Sequence, residues 1–157
     1  EKEAAAKRAQ IEKEYAALTQ DVQKGRGPKV LIIFGSPDSF NMSTKKSFGG
    51  DLAERLGAVN IADKAENVKD SSYIPLSMEF VAKENPDIVM LITMGGSKEI
   101  LEKLRANMRD NAIWHDVNAV KNNRVYQLPP SLFTVNPGTH TIDAMKIMKE
   151  YIYGEVK

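Results

Sequence analysis

Apolar positions recur along the chain at two spacings, and the switches between them mark the predicted elements. From Lys2 to Lys24 the residues are mainly Ala, Glu, Lys, Gln and Arg, with Ala9 followed by Ile11, Tyr15, Leu18 and Val22, the last four forming an apolar stripe at three-to-four-residue intervals. Strong helix formers with that period predict an amphipathic helix. Gly25-Arg26-Gly27-Pro28 ends it. The unbroken run Val30-Leu31-Ile32-Ile33-Phe34, bounded by Pro28 and Gly35, predicts a strand buried on both faces. Residues 36–50 are polar and predict a long loop at the end of that strand, with room for one helical turn. Leu52, Leu56 and Val59 resume the apolar pattern as a helix ending near Gly57 and a short strand.

Residues 63–75 form a second polar connection. Ser77 then caps a helix reaching about Lys83, and Asn85-Pro86 stops it. Asp87-Ile88-Val89-Met90-Leu91-Ile92-Thr93 is the second strongly buried strand. Met94-Gly95-Gly96 turns the chain and Ser97 caps a helix through about Met108. Trp114 and Val117 lie in a short helical stretch, and Asn122-Asn123 suits a positive-φ turn into a strand at Val125–Leu128. Pro129 to Gly138 is a third long loop before a helix from about Thr139 to Tyr153.

Strands alternating with helices predict an α/β fold, a three-layer α/β/α sandwich with a mostly parallel sheet. An N-terminal helical segment over residues 1–27 precedes a domain over residues 28–157. Composition narrows the function. A 42% hydrophobic and 27% charged content is that of an ordinary globular chain. The net charge of +1 gives no electrostatic case for nucleic acid or an anionic membrane surface. No apolar run approaches the ~20 residues that span a bilayer. With no cysteine, disulfides, thiolate metal sites and cysteine nucleophiles are ruled out.

In a parallel α/β sheet, ligands collect at the loops after the strand C-termini. Here these are residues 35–50, 93–98 and 128–139, holding Phe40, Met42, Lys45, Lys46, Met94, Phe133, Asn136 and Pro137. Apolar, sulfur and cationic groups together suit a large, flat or greasy ligand with carboxylates better than a sugar; ordinary surface loops account for the spacing equally well. Gly95-Gly96-Ser97 opens a helix whose N–H groups could hold an anion, although a tight strand-to-helix turn explains it more simply. Neither His115 nor His140 has a second ligand at metal spacing, and His140, beginning the last helix beside a ligand loop, is the better candidate for ligand contact. There is no Gly-x-Ser-x-Gly elbow, and nothing in the residues calls for catalysis. Glu79 falls in the first turn of the Ser77-capped helix, where the helix dipole alone is a sufficient reason for a carboxylate.

Three segments carry a family likeness. They are Leu52-Ala53-Glu54-Arg55-Leu56-Gly57-Ala58-Val59-Asn60-Ile61-Ala62; Ile74-Pro75-Leu76-Ser77-Met78-Glu79 followed by Asn85-Pro86-Asp87-Ile88-Val89; and Trp114-His115-Asp116-Val117-Asn118-Ala119-Val120-Lys121-Asn122-Asn123-Arg124-Val125-Tyr126. In this order they resemble the C-terminal half of the ABC-transporter substrate-binding proteins for iron–siderophore, heme and cobalamin import. The heme-binding branch of Gram-positive bacteria is the most similar, and the likeness covers about residues 28–153.

The resemblance implies a non-enzymatic, extracytoplasmic protein, membrane-anchored as a lipoprotein or periplasmic, that hands heme or a ferric siderophore to ABC permease subunits. Residues 1–27 become the helix linking two lobes, with the N-terminal lobe missing. Glu79 takes the place of the glutamate that meets permease arginines. Met94 takes the place of the histidine that ligates heme iron, with Gly95 beside it. Phe133, Asn136 and His140 fall in or beside the final ligand loop, and Lys45 or Lys46 pairs with a propionate. Without a second lobe, the apolar stripe of the linker helix is open to a non-native dimer with another copy. The competing reading is a flavodoxin-like or Rossmann-like enzyme domain for a nucleotide or flavin. It lacks its phosphate loop, because Gly35-Ser36-Pro37-Asp38-Ser39 has a single glycine.

Overall fold

The computed structural model describes residues 2–20, 25–36, 38–65, 71–93, 97–129, 133 and 141–154. The two long apolar runs sit side by side as β1 (Lys29–Gly35) and β5 (Ile88–Thr93), parallel and in register from Val30↔Ile88 to Gly35↔Thr93. Each is buried along nearly its whole length. Both faces are therefore covered, as the unbroken apolar composition requires.

Successive strand residues point to opposite sides, and the core divides accordingly. Val30, Ile32, Ile88, Met90 and Ile92 face one layer of helices. That layer is α1 (Lys2–Thr19), α2 (Phe48–Arg55) and α7 (Thr141–Tyr153). Leu31, Ile33, Val89 and Leu91 face the other. It holds α3 (Met78–Glu84), α4 (Ser97–Asp110), α5 (Ala112–His115) and α6 (Asn118–Lys121). The predicted three-layer sandwich is the fold observed.

The sheet order is β4-β2-β1-β5-β6, with β3 (Val59–Asn60) also parallel to β1 at its start. β6 (Val125–Gln127) adds a further parallel strand beside β5. Two strands depart from the sequence reading. β2 (Phe40–Ser43) runs antiparallel to β1, and β4 (Tyr73–Pro75) pairs antiparallel with β2. Both lie inside stretches read as polar loops. They are three or four residues long, and only the edge of β1 makes them strands; no local period marks them.

Local signals held elsewhere. Ser77 caps α3 by accepting from the Phe80 N–H at 3.4 Å. Asn85 ends it at φ 50°, in the left-handed region Asn tolerates better than most residues. Asn123 takes the positive φ expected of the Asn122-Asn123 turn. Ile11, Tyr15 and Leu18 of the α1 stripe are partly buried and pack on the core of this same domain.

Candidate functional site

The register Gly35↔Thr93 and Leu91↔Gln127 brings the C-terminal ends of β1, β5 and β6 to one edge of the sheet. In doubly covered α/β sheets this is the edge where ligands bind. β1 leaves it through a tight turn: the Ser36 N–H donates to the Ser39 carbonyl at 2.9 Å, and the Ser39 N–H to Ser36 Oγ at 3.2 Å. The chain returns as β2, placing Phe40 opposite Gly35. A Cβ at Gly35 would lie 2.7 Å from Ile100 Cγ2 and 3.0 Å from Phe40 Cε1. Glycine is therefore what lets the Phe40 ring and α4 close over the strand end. Phe40 is only partly buried, so it presents an aromatic surface at this edge.

The other described candidates are not gathered there. Met42 is 2% exposed and belongs to the core beneath α3 and α4. Its side chain points into the protein because β2 is a strand of the sheet and not a loop. Phe133 is 6% exposed, with its ring centroid 5.9 Å from that of Phe48, and packs in the α1–α2–α7 layer. Lys45 and Lys46 sit at the end of β2 away from Phe40. There the Lys45 N–H donates to Asp63 Oδ1 at 2.9 Å, and the Lys46 carbonyl accepts from Ser72 Oγ at 3.4 Å. The pairing of β2 with β1 carries the chain away from the crevice edge, which a loop reading did not anticipate. Met94, Gly95, Asn136 and His140 lie outside the described residues.

His115 is exposed, and its Nε2 is 2.9 Å from the Arg109 carbonyl, a helix-end contact. Among the described residues no cluster of three His, Asp or Glu side chains is placed to hold a metal ion. Asp87, at the head of β5, accepts from the Lys29 N–H at 3.1 Å and so works at the opposite edge of the sheet. Glu79 is exposed in the first turn of α3, positioned by the Ser77 cap. Burial raises the Asp63 carboxyl above its usual range; the Lys45 N–H opposes the shift and the nearby Glu54 charge adds to it.

One feature had no sequence signal. A cavity of about 460 Å³ opens between β4, α3 and the 3₁₀ turn Ile61–Lys64, lined by Met42, Ile74, Phe80, Lys83 and the Lys64–Glu84 ion pair (3.5 Å). Residues 63–75 read as a connection, and a connection predicts no wall.

An α/β/α sandwich with its parallel strand ends at one edge is an architecture that binds ligands at that edge. Residues 1–132 match the periplasmic binding protein family, and the chain belongs to that family. The high-affinity heme uptake system protein IsdE of Staphylococcus aureus (strain MRSA252) is 35% identical over 130 residues, covering 83% of this chain and 43% of the relative. A solved ABC transporter substrate-binding protein from Listeria monocytogenes EGD-e is similar at TM-score 0.82 and 28% identity, over 98% of this chain and 58% of that one. The structure of S. aureus IsdE complexed with heme gives TM-score 0.82 and 29% identity, over 96% of this chain and 57% of that one. The chain thus spans less than half the length of the curated relative and somewhat over half of the two solved chains.

Proposed function

We propose that residues 28–157 are the C-terminal lobe, and residues 1–27 the interlobe helix, of an extracytoplasmic substrate-binding protein that delivers an iron complex to an ABC permease. Heme is the first ligand to test and a ferric siderophore the second. One observation carries the reading. The chain resembles a heme uptake protein in sequence, and that protein's heme complex in structure, over nearly its own full length but only about half of theirs. That partial coverage supports reading the chain as one lobe of a two-lobed protein.

Phe40 is the described side chain best placed to lie against a flat ligand. By sequence likeness Met94 is the iron ligand, a role a thioether can fill, with Gly95, Asn136 and His140 completing the wall. Glu79 is the permease contact; an exposed carboxylate of this kind sets docking register more than affinity. Ligand sites bury ~70–90% of a ligand's surface, so one wall alone binds weakly and full affinity requires both lobes.

The test is a hemin titration followed by absorption, with this chain and with the full-length protein. The full-length protein should shift the heme band, this chain should do so only at much higher concentration, and Met94→Ala should change the band of the complex. Unchanged spectra with both would remove heme. Quenching of Trp114 fluorescence by ferric siderophores would then decide the second ligand.

A further inference from the structure

The cavity between β4, α3 and the 3₁₀ turn stands apart from the strand-end edge, and Phe40 does not line it. Its floor is apolar. Met42 and Ile74 are cross-strand partners in the β2–β4 register, and both are almost fully buried, at 2% and 4% exposed. Phe80 adds a partly buried ring from α3. β4 is the last strand in the sheet order, so among the described residues no further strand packs beside this floor. The volume of about 460 Å³ falls within the ~300–1,000 Å³ of small-molecule pockets. It is far more than a packed interior leaves between its own side chains.

The charged groups of the lining decide what can sit on that floor. Lys64 Nζ and Glu84 Oε1 lie 3.5 Å apart and join the 3₁₀ turn to α3. Glu84 is the more buried partner, its side chain 15% exposed against 46% for Lys64. The backbone carbonyl of Glu84 also accepts from Lys29 Nζ at 3.1 Å. The carboxylate of the lining is thus already matched by a cation. Lys83 is not. It is exposed, and among the described residues no carboxylate stands within ion-pair distance of it, Glu79 one turn earlier included. A cation entering the cavity would meet two lysines and a carboxylate already engaged. A neutral apolar molecule would cover the floor and leave Lys83 unmatched. An anion with an apolar body satisfies both.

We propose that this cavity is a second ligand site, separate from the strand-end edge, for small amphipathic monoanions. The carboxylate pairs with Lys83, and a short aliphatic or single-ring body lies against Met42, Ile74 and Phe80. Every group in the site belongs to this domain. It therefore needs no second lobe and no iron complex, and its test stands apart from the hemin titration.

Hexanoate is the probe, and hexanamide, its uncharged near-isostere, is the control. In methyl NMR of this chain, hexanoate should shift the Met42 and Ile74 signals saturably, with a dissociation constant on the order of 1 mM. The methyls of Met145 and Met148, in the opposite layer, should stay in place. Hexanamide should bind about three- to fivefold more weakly, the worth of one exposed charge pair. Lys83→Gln should bring hexanoate down to the level of hexanamide and leave hexanamide binding as in the parent, which separates loss of charge from loss of fold. Met42 and Ile74 signals unmoved by hexanoate, or moved only together with Met145 and Met148, would overturn the site. Equal binding of the two probes to the parent would overturn the anion, as would a Lys83→Gln variant that holds hexanoate as tightly as the parent does.

Discussion

Asp63 shows how a single side chain can be held at a cost. Its carboxylate is half-buried and accepts the Lys45 N–H, yet burial dominates and raises its pKa above the ordinary 3.8. A carboxyl with a raised folded pKa favours the protonated form in the fold. Its stabilising contribution is therefore complete below the unfolded value and is lost as pH rises through the folded value. Asp63→Asn keeps an acceptor for the Lys45 N–H and removes the charge. The variant should melt above the parent at pH 7, with the gap closing as pH falls below about 3.8. A variant melting at or below the parent at pH 7 would show that the hydrogen bond outweighs the burial.

Residue identity alone was a poor guide to the site. Met42 and Phe133 have the right chemistry for a ligand wall, but Met42 is drawn into the core by strand pairing and Phe133 by stacking on Phe48. Phe40 lies at the strand-end edge because the turn that leaves β1 returns the chain opposite Gly35.

Elements were legible wherever their signal was local. The caps at Ser77 and Asn85 and the αL residue Asn123 follow from side chains acting on their own backbone, and each occurs where the sequence put it. β2 and β4 were not legible, since their stability comes from neighbours far along the chain. The cap of α3 is a point where local and long-range effects meet. Asn85 sits at φ 50° and its Oδ1 also accepts the Asn118 N–H at 2.7 Å, tying α3 to α6. Asn85→Gly should retain the conformation and lose only the tie. Asn85→Ala loses the tie and strains the backbone, so it should cost about 1–2 kcal/mol more in chemical denaturation. Equal stability of the two variants would mean the left-handed conformation carries no strain here.

On the scale of the whole molecule, fold class could be read from two buried runs and the helices between them, because burial on both faces of β1 and β5 leaves few other architectures. The ligand could not, since most of the candidate wall is chemistry contributed by loops. Glu79 separates the two functions proposed for the surface. In the full-length protein, Glu79→Ala should leave the heme spectrum unchanged and weaken permease association by up to roughly fivefold, about 1 kcal/mol for an exposed pair. An altered spectrum would place Glu79 in the binding cleft instead.

Among the described residues the sheet divides two apolar clusters: Met148 belongs to one and Leu104 to the other, 0% and 1% exposed. Met148→Ala and Leu104→Ala should each cost about 2–5 kcal/mol, and their effects should sum to within about 0.5 kcal/mol. A marked departure from additivity would mean that the sheet transmits strain. If the costs do sum, each layer can change its side chains without regard to the other, and the chain has two independent records of substitution written on opposite sides of one sheet.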